Sequence, residues 1–170
     1  MLICYERYNM LKAIWAQSQD GIIGDGLDIP WYIPEDFQHF KSLTQDSNII
    51  MGRKTWESLP KKPLPNRNNY VLSSHQSGQW SQGAQVINNI DESPDDGWVI
   101  GGQNIYEQYL DKITIIEQTC VKVHLAESVS VPIYAPRIPD DFTIVEETEW
   151  TISENPHEQL YYKFVTWKRN

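Results

Sequence analysis

Two segments of this chain share one plan. NIIMGRKTW (48–56) and WVIGGQNIYEQYL (98–110) each carry an apolar, β-rich run into glycine and then into helix-forming residues. A strand without a polar face must be covered on both sides, and helices that follow such strands provide the cover. The chain is therefore committed to an α/β sheet that is mostly parallel. Glycine at the junction also lets backbone N–H groups at a helix start approach an anion closely. One such junction is ordinary steric design. Two in one chain, one of them followed by Arg53 and Lys54, suggest a ligand with several phosphates, such as a dinucleotide. The G-x-G-x-x-G pattern is absent, which excludes an ordinary Rossmann site.

Further β-rich runs occur at LKAIWA (11–16), NYVLS (69–73), AQVI (84–87), ITIIEQTCV (113–121), FTIVEETEW (142–150) and YYKFVTW (161–167). Helical patterns cover 34–44, about 54–59 and 103–110, the last with Ile105, Tyr106, Tyr109 and Leu110 as an apolar stripe. NNIDESPDDG (88–97) is too polar and proline-broken for a helix of any length and reads as a loop. With no repeat and no long linker, the expected fold is one α/β domain. Its mostly parallel, eight-stranded twisted sheet ends in an antiparallel C-terminal edge hairpin and is flanked by three to four helices.

Composition narrows the function. The 170 residues are 40% hydrophobic and 22% charged, an ordinary globular mix. A net charge of −9 argues against a nucleic-acid partner. Between Lys41 and Arg67, six basic residues meet two acids, a local +4 that leaves −13 on the rest. That segment is either chance surface patterning or the docking place of an anionic small molecule. No apolar run approaches the ~20 residues that span a bilayer, and Glu6 and Arg7 interrupt any signal-peptide core. Cys4 and Cys120 have no metal spacing, and none of the four histidines forms a zinc pair. The expectation is a cytoplasmic monomer without a metal.

Within GDGLDIPWYIPEDFQHF (24–40), Pro34 suits a first helical position. Counting from Ile33, the core-facing positions are Ile33, Asp36, Phe37 and Phe40. Three are apolar and one is an acid. Glu35 on the solvent side would satisfy the helix dipole by itself. Periodicity leaves two readings of Asp36 open: a helix-start charge, or an acid facing a polar ligand.

The residues that decide between them are DGIIG (20–24), PW (30–31), the Pro-x-Asp helix start (34–36), IMGRKTWESL (50–59), PLPNRNNYVLSS (63–74) and VIGGQNIYEQYL (99–110). In this order and spacing, with the closing aromatic strand, the chain from Met10 onward resembles dihydrofolate reductase. Met10 is where the family usually begins, so residues 1–9 read as an extension, disordered or added to the first strand.

The resemblance implies hydride transfer from NADPH to the pterin of dihydrofolate. It makes Asp36 the acid of the pterin pocket, accepting two parallel hydrogen bonds from the pterin's amino group and ring N–H. It makes Trp31 the holder of a nearby water and Thr119 a donor to Asp36. Ile14, Ala16, Ile29, Phe37, Phe40, Leu64, Ile100 and Tyr106 become linings of the substrate and nicotinamide surfaces. As bare hydrophobes each would sooner be read as core. Arg67, with Lys41 nearby, is placed at the substrate's glutamate tail.

For the cofactor, the resemblance assigns Arg53, Lys54, Ser73 and Ser74, beside Leu72, to the adenosine 2′-phosphate, and Gly52 and Thr55 to the pyrophosphate. Gly101, Gly102, Gln103, Asn104, Ile105 and Tyr106 cover its other side, and the family's Gly-Gly peptide is cis. Ile22, Ile23, Gly24, Asp25, Gly26, Leu27 and Asp28 form a mobile lid. Two departures bear on that lid. Leu27 and Ile29 stand where asparagine and methionine are common. Pro132 and Ile133 stand where many members carry an Asp-Thr pair whose acid clasps lid N–H groups; neither side chain accepts a hydrogen bond. A lid closed mainly by apolar contacts of Ile22, Ile23, Leu27 and Ile29 with ligand and core is therefore expected. Two other functions share parts of the pattern: a pyrimidine reductase of riboflavin synthesis, which has no use for Trp31, Asp36 and Arg67 together, and a non-catalytic dinucleotide-binding module.

Overall fold

β-Branched and aromatic runs become strands here, and in the centre of the sheet their side chains are covered on both sides of a pleated surface. The computed structural model describes residues 10–170. The extension at 1–9 lies outside them. In chain order the elements are β1 (Met10–Ser18), β2 (Ile22–Gly24), α1 (Pro34–Thr44), β3 (Asn48–Gly52), α2 (Arg53–Ser58), β4 (Asn68–Leu72), β5 (Gln85–Ile87), β6 (Asp96–Gly101), α3 (Gln103–Tyr109), β7 (Ile115–Val121), β8 (Ile133–Tyr134), β9 (Phe142–Glu147), β10 (Thr151–Ile152) and β11 (Tyr161–Arg169).

The large sheet runs β10-β11-β7-β1-β6-β3-β4-β5, with β9 also pairing with β11. From β7 through β5 all neighbours are parallel, and β11 returns antiparallel. The run read as one strand over 142–150 ends early, at Glu147 in β9; Thr148 N–H still bonds Phe164 O at 3.0 Å, and the separate short β10 beyond the run also pairs with β11. The expected loop at 88–97 holds one turn of 3-10 helix, Ile90–Glu92, started by Asn89 accepting from Asp91 N–H, and runs into β6 at Asp96. The three α-helices fall within a residue or so of their sequence boundaries.

Period-two alternation splits the core between two faces. Leu11, Ala13 and Trp15 of β1 point to one face, with Ile50, Val99, Ile105, Tyr106, Tyr109 and Ile116. Ile14 points to the other, with Ile49, Met51, Trp56, Val71 and Trp98. α3 covers the first face and α2 the second. Each such fully buried Ile or Val contributes about 1.5–3 kcal/mol. The strand order reverses beside β1, so the carboxyl ends of β1, β3 and β6 flank a crevice, the place where open α/β sheets bind ligands.

β2 and β8 form a separate antiparallel pair beyond the end of β1, continued by Ala135 N–H to Gly21 O at 2.8 Å.

β6 enters the sheet through Gly97 at φ +146, where an added Cβ would sit 2.6 Å from Asn48 O. Replacing Gly97 with Ala should cost roughly 1–3 kcal/mol. Gly78→Ala, in extended backbone with its nearest contact at 3.7 Å, should stay within about 0.5 kcal/mol of the parent. Urea midpoints measure both; equal midpoints would show that β3 yields to the added methyl.

Candidate active site

α1 starts with Pro34 after an extended Ile33, and no side chain caps it. Its two first-turn acids go opposite ways. Asp36 Oδ1 accepts from Thr119 Oγ1 at 2.6 Å, and Thr119, on β7, is buried. Burial raises the Asp36 pKa above its ordinary value; the Thr119 hydrogen bond and the nearby His39 work against that rise without cancelling it. Glu35 does not face open solvent, as the sequence reading had it. Its carboxylate accepts from Ser153 Oγ at 2.8 Å and Glu154 N–H at 2.6 Å, tying α1 to the loop after β10. Burial pushes Glu35 up, but these bonds, chiefly that from Glu154 N–H, hold its pKa below the ordinary value.

Around Asp36 the expected apolar walls come together in part. Ile14 and Ala16 lie on β1, with Ala16 in register with Thr119. Phe40, Leu64 and Ile100 are half-buried in the cluster around Trp56. Trp31 packs with Ile33, Val121, Leu160 and Tyr162. Phe37 is exposed and its ring lies 5.8 Å from that of Tyr32, an aromatic the sequence reading passed over. Lys41 is exposed. Arg67 is anchored, with Nη1 donating to Thr44 Oγ1 at 3.0 Å, Nε to Pro65 O at 2.9 Å, and the guanidinium 5.9 Å from the Phe40 ring. It borders a recess of about 360 Å³ with Asp46, Asn66 and Asn68. Buried Asn69 holds this loop by bonding both Leu64 N–H and Leu64 O at 3.0 Å.

The two glycine junctions adjoin. Gly52 and Gly102 are the N-caps of α2 and α3, and neither helix has a side-chain cap. A Cβ on Gly102 would lie 3.7 Å from Thr55 Oγ1. The Gly101–Gly102 peptide is cis, and Gly101 has φ +124. Tyr106 is buried and donates its O–H to Ile14 O at 2.6 Å, pinning α3 to β1. Its hydroxyl is therefore already engaged. Gly52 is small because Ile105 occupies its flank, 2.8 Å from any Cβ, so Ile105 is a core side chain. Arg53 pairs loosely with Glu57 at 3.7 Å. Lys54, Ser74 and Asn104 are exposed, while Thr55, Leu72, Ser73 and Gln103 are half-buried. Ser73 Oγ accepts from His75 N–H at 3.0 Å.

The lid segment is buried at one end and exposed at the other. Ile22 is fully buried, but Leu27 is 92% exposed and Ile29 47%, so these two do not pack on the core. The tip is held by its own polar groups: Asp25 Oδ1 accepts from Leu27 N–H at 2.9 Å and Asp28 N–H at 2.7 Å. Among the described residues no side-chain oxygen of 126–133 bonds an N–H of 22–28; the link is the backbone pairing of β2 with β8. Sequence reasoning missed Ser18 and Asp20, which join this region to the 125–126 loop. Their signal was a Ser-x-Asp at a strand end, a spacing that favours local turn bonding.

The sequence profile of the dihydrofolate reductase family matches residues 10–169. The dihydrofolate reductase of Mycobacterium tuberculosis (strain ATCC 25618 / H37Rv) is 40% identical over 166 residues, 95% of this chain and 99% of its own. That of Enterococcus faecium is 33% identical over 171 residues, 94% of this chain and 97% of its own. A solved dihydrofolate reductase from Enterococcus faecalis, complexed with NADP(H) and RAB-propyl, superposes with a TM-score of 0.81 at 25% identity, over 96% of this chain and 98% of that one. With the inward acid of α1 and the paired glycine junctions, these matches establish that the chain belongs to the dihydrofolate reductase family.

Proposed function

We propose that the protein reduces 7,8-dihydrofolate to 5,6,7,8-tetrahydrofolate with NADPH, using Asp36 to orient and polarise the pterin. The observation that carries this reading is the Asp36–Thr119 pair: an acid turned inward among apolar walls, with one hydroxyl donor and a raised pKa. A carboxylate so placed suits a flat ligand that presents an amino group and a ring N–H side by side. Held there, Asp36 raises the proton affinity of the ring nitrogen next to the carbon that accepts hydride. Thr119 keeps the carboxylate aimed and Tyr106 keeps β1 and α3 together behind it. Phe37, Phe40, Leu64 and Ile100 exclude water from the ring, with Ile14, Ala16 and Ile29 at the nicotinamide side. Arg67, its fork set by Thr44 and Pro65, faces the glutamate carboxylate, with Lys41 at the rim.

The donor set fits a phosphorylated dinucleotide. Two uncapped helix starts adjoin at Gly52 and Gly102, with the Thr55 hydroxyl between them and Arg53, Lys54, Ser73 and Ser74 beyond. When bound, NADPH supplies the hydride. The protein orients it, neutralises its phosphates and covers it with residues 22–28. The same proposal takes the protein to be a cytoplasmic monomer with no nucleic-acid partner. The −9 net charge and the sparse cysteines support that part. No helix among the described residues is long and apolar enough to cross a membrane.

Asp36→Asn should lower single-turnover hydride transfer near neutral pH by about a hundredfold or more, with cofactor affinity almost unchanged. It should also raise stability. The folded pKa of Asp36 lies above the unfolded value of 3.8, so its contribution is fully present below that value and is lost as pH rises through the folded pKa. Thermal melts of the Asn variant should therefore exceed the parent at pH 7, and the gap should close in acid. A variant that turns over at parental rates sinks the assignment.

Arg53→Ala with Lys54→Ala should erode preference for NADPH over NADH through affinity, each contact being worth about 1.5–3 kcal/mol. High salt should do the same to the parent. Equal affinity of the parent for both cofactors would remove the 2′-phosphate role.

A further inference from the structure

The base of the lid is joined to the 125–126 loop by a chain of hydrogen bonds that starts at the end of β1. Asp20 follows the end of β1. Its Oδ1 accepts from Ser18 Oγ at 2.5 Å, and its Oδ2 accepts from Leu125 N–H at 2.9 Å and Ala126 N–H at 2.8 Å. Ser18 Oγ in turn accepts from Ile22 N–H at 2.8 Å, and both Ser18 and Ile22 are fully buried. A hydroxyl has one proton to give, so the direction is fixed. Ile22 N–H donates to Ser18, Ser18 donates to Asp20, and Asp20 receives the loop's two N–H groups.

We propose that Ser18 and Asp20 are positioning residues for the reaction: a relay that locks the base of the lid, Ile22–Gly24, to the 125–126 loop and leaves only its tip free to open. The acid that clasps stands on the strand side and the N–H donors stand on the loop. This rests on the functional reading above, which makes residues 22–28 the cover of the nicotinamide.

The surroundings divide base from tip in the same way. The base is held by the relay, by the β2–β8 pairing, by Gln19 N–H to Val123 O at 3.0 Å and by Ala135 N–H to Gly21 O at 2.8 Å. The tip closes on itself through Asp25 and Asp28, including Asp25 N–H to Asp28 O at 3.0 Å, and presents an exposed Leu27. Gly26, at φ +90, lies so near Val131 that a Cβ would be 2.9 Å from it. Burial pushes the Asp20 carboxyl up, and the bonds from Ser18, Ala126 and Leu125 outweigh this, bringing it down to about 2. The relay is therefore formed throughout the neutral range.

Three variants test the relay: Asp20→Ala, Ser18→Ala and the double change. In the ligand-free protein, hydrogen exchange should show Ile22, Leu125 and Ala126 losing protection together in Asp20→Ala, and Ile22 alone in Ser18→Ala. With NADPH and dihydrofolate, Asp20→Ala should slow single-turnover hydride transfer about tenfold and speed NADPH release to a similar degree. Dihydrofolate affinity should stay within about twofold, because neither Asp36 nor Arg67 is touched. Ser18→Ala should slow transfer about threefold, and the double variant should be no slower than Asp20→Ala, since the two residues act in series. Parental hydride rates in Asp20→Ala with only a lower melting temperature would make the network purely structural and overturn the proposal. So would additive effects of the two changes. If Asp20→Ala does not fold, Ser18→Ala decides alone, and an unchanged hydride rate in it overturns the proposal. A parent that fails to oxidise NADPH with dihydrofolate refutes the functional reading instead; exchange at Ile22 in Ser18→Ala then still decides whether the relay locks the lid base, unchanged protection there overturning it.

Discussion

The Thr119 hydroxyl on the Asp36 carboxylate is the contact around which the site is arranged. An acid in an interior position needs a donor, and the donor here sits on β7. To meet it, α1 must lie across the carboxyl end of β7, and the walls carried by α1 follow. Because β7 is in register with β1, Thr119 stands beside Ala16, which places the acid at the crevice where the strand order reverses. Moving α1 by one helical position would turn Asp36 through about 100° and take its carboxylate away from the hydroxyl.

The parallel centre of the sheet supplies the second half of the site. Parallel neighbours all end on the same side, so β3 and β6 deliver Gly52 and Gly101 to one edge and start α2 and α3 next to each other. Two sets of backbone N–H groups then converge without any polar side chain having to enter the core. The two glycines are small for different reasons. Gly52 makes room for Ile105, whereas Gly101 adopts a left-handed φ that side chains rarely take. A packing demand and a backbone demand thus meet at one edge of the sheet, where both helices start.

Much of this was legible in the sequence because it depends on local pattern. Strand runs, the helix opened by Pro34 and the glycine junctions are each set by neighbours a few residues apart; the three helices keep their bounds within a residue or so, while several strand ends shift by two or three residues. The inward side of Asp36 was legible too, from its place in the helical period. What was not legible are side chains whose partners lie far along the chain. Glu35 finds Ser153 and Glu154, and Asp20 finds Leu125 and Ala126; no periodicity connects such positions. Nor was the turn at the lid's tip legible: the Asp25 carboxylate closes it locally and leaves Leu27 at its apex.

Three acids close together in sequence show how such roles are told apart physically. Asp20 receives one hydroxyl and two backbone N–H groups, and Glu35 one of each. Both are held below the usual carboxylate range, so each stabilises the fold as an anion. Asp36 has Thr119 as its one side-chain donor among the described residues, and its pKa lies above the usual range. Burial is not offset there, so Asp36 is unfavourable to the fold when ionised. An acid that only started a helix would face solvent or gather donors, as Glu35 does. Asp36 does neither, and in the function proposed above its place suits a ligand that brings two parallel N–H groups of its own.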